Sequence, residues 1–435
     1  MKFIYVFILS LLPFAAHAVD VERVVSPGGI EAWLVQDHAN PLVSMRFSFG
    51  GGSELDPQGK EGLAHLASTT MDEGAGNLDS QTFQGSLTDQ SITVRFSAGR
   101  DHFSAQFRTL KSHEDKAFEL LRLALNEPRF DAEPVDRLKS QIEAGLKSDE
   151  ENPNTLAIRA LFKGFFPNHA YARRAKGTLA SVRAITRQDL VNFVKMRLAL
   201  KTLKIGVVGD VTPKRLGELL DRTFGALPLN PGPSEVPDVT VNAQGRTIVI
   251  EKDLVQSSIL FGHGGPKRND PDFYAALVMN HILGGGSFTS RLYSEVREKR
   301  GLAYSVGTNL YPFEKTGMII GRAGTENSRV QETLDIIRAE WKRLAEGDLN
   351  QQELDDAKTY ITGSFPLRFT STSAIAGVLV AMQENDLGID YLDKRNGYIS
   401  SVTLKDVRRV AAKYLKADHL NVVVVGKPKG IVSSP

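Results

Sequence analysis

Histidines are the first residues to test for chemistry, because imidazole is the commonest protein ligand of metal ions. The sequence has nine of them, and no two lie three, four or five residues apart. No helix or short loop in this chain therefore supplies a His–His metal pair. His113 and Glu114 are not followed by the second histidine of a His-Glu-x-x-His zinc helix. The chain has no cysteine, which excludes disulfides and thiolate metal sites.

Other catalytic motifs are also missing. No Gly-x-Ser-x-Gly elbow occurs, and the stretch from Gly52 to Glu61 lacks the spacing and the Ser/Thr of a phosphate-binding Walker loop. The glycine runs at 50–52 and 284–286 are typical of tight turns or close backbone approach. Charge is nearly balanced, with 53 Lys+Arg against 51 Asp+Glu. This balance gives no electrostatic argument for a nucleic-acid partner.

One segment connects these absences to a known chemistry. Residues 51–65 read Gly-Gly-Ser-Glu-Leu-Asp-Pro-Gln-Gly-Lys-Glu-Gly-Leu-Ala-His. This string resembles the start of the inverzincin helix of the pitrilysin/insulysin-type zinc metallopeptidases, the processing-peptidase family. The family motif is His-x-x-Glu-His, in which the histidines bind zinc and the glutamate activates its water. The resemblance puts His65 at the first ligand, Ser68 at the general base and Thr69 at the second ligand, so two of the three positions are substituted.

The third protein ligand of the family is a glutamate on a later helix, before an acidic Asn-Pro stretch. Residues 149–153 read Asp-Glu-Glu-Asn-Pro, and the resemblance puts Gly145 at the ligand position. Glu143 precedes Gly145 by two residues. In an α-helix this separation corresponds to a rotation of about 200°, so the side chain of Glu143 points elsewhere. Catalytic zinc needs three protein ligands and one open position. We therefore expect no metal in this chain and interpret His65 as a leftover polar residue on a helix.

The second half departs from the family much less. Residues 282–292 read Ile-Leu-Gly-Gly-Gly-Ser-Phe-Thr-Ser-Arg-Leu, and residues 296–306 read Val-Arg-Glu-Lys-Arg-Gly-Leu-Ala-Tyr-Ser-Val. This string is similar to the family segment whose Arg and Tyr reach across to the active site. The resemblance implies that Arg297 binds the substrate backbone and that Tyr304 stabilises the oxyanion, and both side chains can donate the hydrogen bonds required. Without the resemblance, they would be interpreted as an exposed arginine and a half-buried strand tyrosine.

A substrate-positioning pair without zinc machinery leads to one main hypothesis. Some bacterial family members are heterodimers in which one subunit carries the zinc motif and the other the Arg/Tyr pair, and this chain resembles the second kind. It is then a non-catalytic subunit, inactive alone, that acts on peptides or unfolded proteins with a paralogous partner, and zinc is expected in that partner. The alternative is a zinc-free structural or peptide-binding protein of the same fold, as the core subunits of the respiratory bc1 complex are. A peptidase with substitute ligands is a third possibility, which no ligand spacing in the sequence supports.

Two copies of one unit have to position these side chains. The helix start at Thr186 aligns with the helix start at Thr403, and the same offset aligns two β-branched runs that end at Gly209 and Gly426. Each helix start reads Thr-x-x-Asp, which is typical of a capped N-terminus, and each run predicts a strand. The match of both features at one offset indicates an internal repeat.

A Pro- and Gly-rich linker at residues 229–237 separates the copies. We place the boundary near residue 235, which gives an N-terminal unit at 19–234 with the degenerate zinc motif and a C-terminal unit at 235–435 with the Arg/Tyr pair. Each copy begins with strands and continues with one-sided amphipathic helices. This order predicts an α+β fold of two homologous α/β sandwich units, each a mainly antiparallel sheet with helices layered on one face.

The first eighteen residues predict a targeting segment. Lys2 is followed by an apolar run at residues 3–14 that ends in Ala-Ala-His-Ala at Ala18. This pattern is typical of a cleavable secretory signal peptide, and the run is too short to span a membrane. We expect cleavage after Ala18, a periplasmic location, and no membrane span in the mature chain.

Overall fold

The computed structural model describes residues 20–434, so the predicted signal peptide at residues 1–18 lies outside the described residues. In the first half, the strands and helices are β1 (Glu22–Val25), β2 (Glu31–Gln36), β3 (Leu42–Gly50), α1 (Leu63–Thr70), α2 (Ser80–Asp89), β4 (Thr93–Ala98), β5 (His102–Leu110), α3 (Glu114–Asn126), α4 (Ala132–Asp149), α5 (Pro153–Phe165), α6 (Leu179–Ala184), α7 (Arg187–Arg197), β6 (Leu203–Gly209) and α8 (Pro213–Phe224). In the second half, they are β7 (Thr247–Glu251), β8 (Gln256–Gly264), α9 (Phe273–Asn280), β9 (Ala303–Pro312), β10 (Gly317–Glu326), α10 (Val330–Ala345), α11 (Gln351–Gly363), α12 (Thr372–Glu384), α13 (Tyr391–Ser400), α14 (Leu404–Tyr414) and β11 (Asn421–Gly426).

Each half folds around one sheet. The first sheet has the strand order β1-β2-β6-β3-β5-β4, and the second has the order β7-β11-β8-β10-β9. Apart from the additional edge strand β1, the two orders correspond strand for strand. Each contains one parallel pair, β2–β6 or β7–β11, and three antiparallel pairs follow it. The predicted fold of two like units with mainly antiparallel sheets is therefore confirmed.

The repeated elements lie at equivalent places in the two units. The capping boxes at Thr186 and Thr403 are both formed, each with the aspartate three residues on. Gly209 and Gly426 end β6 and β11 with φ values of +143° and +154°. A Cβ at Gly209 would lie 2.2 Å from the carbonyl oxygen of Leu42, so no larger residue fits there without a shift of the backbone.

The side chains of each sheet alternate between its two faces. On one face, the helices of the same unit cover the strands: Phe47 and Ile205 belong to the core of the first unit, and Phe261 and Val424 belong to the core of the second. Helices of the same unit thus cover this face of each sheet.

The opposite faces are covered by helices that the two halves exchange. Helix α5 of the first half lies on the second sheet, where Leu161 and Val423 share a buried cluster. Helix α12 of the second half lies on the first sheet, where Leu379 clusters with Val208. Amphipathic sequence predicts that such helices bury one face, but not which sheet covers it.

Helix α12 approaches its sheet closely because β6 has a glycine at the contact. A Cβ at Gly206 would lie 2.5 Å from the carbonyl oxygen of Ala376 and 2.8 Å from the Cβ of Leu379. Beside this contact, the side-chain amide of Gln383 donates a hydrogen bond of 2.8 Å to the carbonyl oxygen of Ile205. Backbone contact and hydrogen bonding therefore join the two units.

The segment between α8 and β7 contains neither helix nor strand. The linker at 229–237 lies within it, and the domain boundary near residue 235 stays a prediction. Within residues 20–434, no single helix is both long and apolar enough to cross a membrane; the helical segments Gln351–Arg368 and Thr372–Glu384 meet those limits only as a pair, and they are bent by 119°.

Candidate functional site

The helix that carries the degenerate motif has a fixed start. Helix α1 follows Gly62, whose φ is +95°, and a Cβ there would lie 2.7 Å from the carbonyl oxygen of Lys176. The carboxylate of Asp56 accepts hydrogen bonds from the backbone N–H groups of Gly62 (2.9 Å) and Ala64 (3.0 Å). These bonds satisfy donors that have no partner within the helix, so Asp56 anchors the motif helix.

The hydroxyl groups of the substituted motif residues form hydrogen bonds within α1. The hydroxyl of Ser68 donates to the carbonyl oxygen of His65 (2.8 Å), and the hydroxyl of Thr69 donates to that of Leu66 (2.9 Å). Burial, and then the positive charge of Lys176, lower the pKa of the half-buried His65. The imidazole is therefore neutral near pH 7, and Ser68, which is buried, has no acidic group with which to activate water.

The position predicted for the third ligand has no side chain. Helix α4 packs against α1, and Gly145 lies exposed on it, with nothing within 4 Å of where a Cβ would be. The carboxylate of Glu143 is bound to Arg183, at 2.6 Å and 2.9 Å. Within residues 20–434, no group of three histidine, aspartate or glutamate side chains could hold a metal ion. The residues present at the family's zinc positions therefore do not fit zinc.

Positive charge surrounds the end of α4. A cavity of about 230 Å³ lies between α4, α5 and the segment at 172–177, and its charged lining is Arg100, Asp149, Arg159, Arg173, Arg174 and Lys176. Five of these six side chains are cationic. Asp149 and Glu150 pair with Arg159, Arg174 and Lys176 and neutralise part of this charge. The charge of Lys176, which acts on His65, opposes a metal cation beside that imidazole.

The second group of predicted residues forms a stacked cluster on the C-terminal unit. The helix before β9 has a π-helical turn at Tyr293–Glu298. The guanidinium carbon of Arg297 lies 4.9 Å from the ring centre of Tyr293 and 4.7 Å from that of Tyr304. Phe288 extends this aromatic frame, with its ring centre 5.0 Å from that of Tyr293. We call these four residues the Arg297 cluster.

The Arg297 cluster faces solvent. Tyr304 is 79% exposed and Phe288 is 69% exposed, while Arg297 is half-buried. These exposures are the reverse of the interpretation made without the family resemblance, which expected an exposed arginine and a half-buried tyrosine. Within the described chain, the side chains of Arg297 and Tyr304 have no hydrogen bond to another protein group, so their N–H and O–H donors remain available to a ligand. Their catalytic roles stay predictions.

The two groups of predicted residues belong to different units. Helix α1 packs against α4 and α7 of the first unit, and the helix of Arg297 packs against β9 and α10 of the second. Sequence reasoning missed Phe288 and Tyr293, which frame Arg297, and Asp56, which anchors α1. Aromatic residues nine and four positions before Arg297 are a weak signal for the first two, and the Asp-Pro turn before α1 is a weak signal for the third.

Comparisons with known proteins place both halves in one family. A family model described as Insulinase (Peptidase family M16) matches residues 32–178, and one described as Peptidase M16 inactive domain matches residues 184–361. A Helicobacter pylori protein described as non-peptidase homolog YmxG is 24% identical over 429 residues, which cover 98% of this chain and 99% of that protein. A Streptomyces coelicolor protein described as an uncharacterized zinc protease is 26% identical over 409 residues, which cover 91% of this chain and 87% of that protein.

A solved structure agrees with these matches. The structure described as a peptidase M16 inactive domain from Pseudomonas fluorescens aligns with a TM-score of 0.86 at 27% identity, and the alignment covers 96% of this chain and 100% of that one. The chain belongs to the M16 metallopeptidase family, in agreement with its resemblance to the pitrilysin/insulysin-type peptidases.

Proposed function

We propose that this chain is the non-catalytic, substrate-positioning subunit of a heterodimeric metallopeptidase that acts on peptides or unfolded proteins. Its partner is a paralogous subunit with an intact His-x-x-Glu-His helix, which supplies the hydrolytic chemistry. Arg297 binds backbone carbonyl groups of the substrate, and the hydroxyl of Tyr304 donates a hydrogen bond to the oxyanion that forms at the scissile carbonyl.

One observation carries this proposal: the Tyr304 hydroxyl and the Arg297 guanidinium are oriented by stacking and have no protein hydrogen-bond partner within the described residues. Stacking between two rings limits the rotamers of Arg297 without using its N–H donors. A donor that is held in place before the substrate arrives needs little reorganisation during the reaction. Exposed aromatic side chains beside it also favour a contact surface for a peptide or a partner.

The degenerate motif supports the assignment of hydrolysis to the partner subunit. The first unit offers one histidine where catalytic zinc needs three ligands, and the serine at the general-base position donates to its own helix. We therefore infer that catalysis depends on the partner, and that cleavage requires both chains.

A zinc-free structural or peptide-binding role is the second candidate. It is favoured by two similar proteins, one described as a non-peptidase homolog from Helicobacter pylori and the other as an inactive domain from Pseudomonas fluorescens. In that role the Arg297 cluster contributes contact area only, and no turnover depends on the Tyr304 hydroxyl.

We also propose that the protein is exported to the periplasm and that its mature form begins at Val19. The motivation is the signal-like pattern of residues 1–18. Mass spectrometry of a periplasmic fraction is expected to give Val19 as the first residue. Membrane-bound protein that retains Met1 would contradict the proposed location.

Reconstitution with the zinc-bearing paralogue tests the main proposal. Each chain alone should be nearly inactive on an unfolded protein, and the mixture should cleave it. Tyr304→Phe should lower the kcat of the mixture by about a hundred- to a thousand-fold, because the oxyanion loses a donor. Arg297→Ala should act mainly on KM, since it removes contacts to the substrate backbone.

Ser68→Ala is the matched control, because it removes a hydroxyl from the degenerate helix and should leave kcat and KM unchanged. Complex formation is measured for each variant by sedimentation, so that loss of binding is separated from loss of rate. Full activity of both the Tyr304 and Arg297 variants in fully formed complexes would refute the positioning role and favour the structural one.

A further inference from the structure

The C-terminal unit also contains a cavity, and the Arg297 cluster does not explain the charges that line it. It has a volume of about 500 Å³ and lies between α9, the end of β9, α11 and α13. Its charged lining residues are Arg268, Arg368 and Arg395, and within the described chain no aspartate or glutamate lines it. We call it the arginine cavity.

Arg395 is the most buried of the three, with 7% of its surface exposed. One of its Nη atoms donates to the side-chain oxygen of Asn396 (3.1 Å) and to the carbonyl oxygen of Ile361 (3.4 Å). Its guanidinium carbon lies 3.8 Å from the ring centre of Phe365. Among the residues described, no carboxylate forms an ion pair with it. Because an arginine stays protonated in proteins, this is a buried positive charge without an ionic partner.

The other two arginines add charge to the same cavity. Arg268 donates to the hydroxyl of Tyr391 (2.9 Å) and stacks on Phe273, with the ring centre 4.2 Å from its guanidinium carbon. Arg368 is exposed at the rim. Neither forms an ion pair within residues 20–434. Three like charges that share one cavity repel each other, and a bound anion would remove that cost.

The cavity beside α4 in the first unit is different. There, the carboxylate of Glu150 lies 2.8 Å from both Arg159 and Arg174. The positive charge of that cavity is thus partly neutralised within the protein, whereas the charge of the arginine cavity is not.

A purely structural role accounts for only part of the arrangement. The carbonyl oxygen of Ile361 lies in the last turn of α11, where a cation is favourable, so Arg395 stabilises that helix end. This contact uses one Nη atom of one arginine. It leaves the charges of Arg268 and Arg368 in the cavity unexplained.

We propose that the arginine cavity binds the carboxylate of a peptide, either a C-terminal carboxylate or that of an acidic side chain. The planar fork of a guanidinium matches a carboxylate in a bidentate arrangement. Phe365, Tyr391 and Tyr360 provide aromatic walls for the side chain next to that carboxylate. The volume lies in the range of small-ligand sites, about 300–1,000 Å³. The choice of a peptide rests on the proposed function, whereas the anion site itself does not.

Binding to the full mature chain alone tests this inference. The probe is the peptide acetyl-Ala-Phe-Ala-Phe with a free carboxylate, and its C-terminal amide is the comparison, both measured by calorimetry. A third peptide, acetyl-Ala-Phe-Glu-Phe-amide, carries its only carboxylate on a side chain. The free acid, the glutamate peptide or both should bind, and the plain amide should bind at least about tenfold more weakly.

Substitutions then locate the site. Arg268→Gln and Arg368→Gln should each weaken binding of the acidic peptide by about ten- to a hundredfold, the effect of losing a charge-assisted hydrogen bond. Arg23→Gln, an exposed arginine that pairs with Glu31 in the first unit, is the matched control and should leave binding unchanged. Arg368 is exposed, so its variant should fold even if substitution inside the cavity is harmful.

The inference is overturned if the plain amide binds as well as the acids, if both cavity variants bind like the unsubstituted chain, or if inorganic phosphate binds and neither acidic peptide does. The partner is absent from this experiment. Failure of the heterodimer proposal therefore leaves these results unaffected, and failure to bind acidic peptides leaves the reconstitution result unaffected.

Discussion

Restoring two side chains in the degenerate motif should create a zinc site. The double substitution Thr69→His with Gly145→Glu supplies, together with His65, the three protein ligands that zinc requires. Helix α1 already packs against α4, and burial already favours the neutral, metal-binding form of His65. The unsubstituted chain should be nearly metal-free after dialysis, because a single histidine does not compete with buffer for zinc.

The structure sets the expected cost of these changes. No atom lies within 4 Å of a Cβ at Gly145, and replacing an exposed helical glycine with glutamate stabilises a helix by about 0.5 kcal/mol. Thr69→His removes the hydroxyl bond to Leu66, which contributes about 1 kcal/mol. The free energy of unfolding of the metal-free variant should therefore be nearly the same as that of the unsubstituted chain. Zinc at a hundred times its Kd should then add about 2.7 kcal/mol.

The local charge gives this prediction an internal test. The positive charge of Lys176 acts on His65 and opposes a cation beside it. Lys176→Gln in the double variant should therefore tighten zinc binding, and the gain should shrink at high salt because mobile ions screen the charge.

Elemental analysis after dialysis measures the zinc content, and urea unfolding with and without zinc measures the stabilisation. The control pairs Thr69→His with Ala144→Glu, which puts the same carboxylate one residue away on α4, about 100° around the helix. If the double variant is folded and holds no more zinc than this control, the assignment of Thr69 and Gly145 to the ligand positions is wrong. One equivalent of zinc in the unsubstituted chain would also contradict it.

Two further predictions concern stability. Burial lowers the pKa of His263 from 6.5 to about 4, so between these pH values the unfolded chain binds more protons and the free energy of unfolding falls as the pH decreases. The indole N–H of Trp341 donates a hydrogen bond of 2.8 Å to Nε2 of His263, so His263→Gln should be less stable than the unsubstituted chain at about pH 7.5 in urea unfolding. Because glutamine does not titrate, this difference in the free energy of unfolding should narrow by about 2 kcal/mol at about pH 5. A constant difference would contradict the buried neutral imidazole. Gly206→Ala should destabilise the protein by about 1–3 kcal/mol, because the new Cβ clashes with α12. Gly377 lies within α12, and no atom lies within 4 Å of the position that its Cβ would take. Gly377→Ala should therefore stabilise the protein by about 0.5–1 kcal/mol. Equal effects of the two glycine substitutions would contradict the close contact.

Local patterns predicted the repeated parts of the fold well. A Thr-x-x-Asp start before an apolar periodic segment has one favourable arrangement, the reciprocal capping box, and both copies adopt it. The β-branched runs before Gly209 and Gly426 form equivalent strands in the two sheets. The capping box joins residues that are neighbours in sequence, so the local pattern determines it. The strand pattern reflects local β propensity, although β6 and β11 pair with strands that are distant in sequence.

The parts that the sequence did not predict depend on contacts between distant residues. The exchange of α5 and α12 is one, because amphipathicity does not identify the covering sheet. The arginine cavity is another, because Arg268 and Arg395 come together only after folding. The π-helical turn before β9 is a third: it contains Tyr293 and Arg297, and the 3.6-residue period contains no signal for it.

Hydrogen bonding distinguishes the two groups of predicted residues more clearly than their types do. Ser68 and Thr69 replace charged or ligating residues, and each hydroxyl donates within α1, so the fold is compatible with a helix that has lost its metal chemistry. Arg297 and Tyr304 are oriented by stacking, and within the described residues their donors have no protein partner. A buried polar group is normally satisfied within the protein, whereas an exposed donor binds water until a ligand replaces that water. The buried Ser68 follows this rule inside the degenerate helix, and Tyr304 is exposed beside Arg297 with its hydroxyl accessible to a ligand, which is why we propose a positioning function for the second unit and none for the zinc positions of the first.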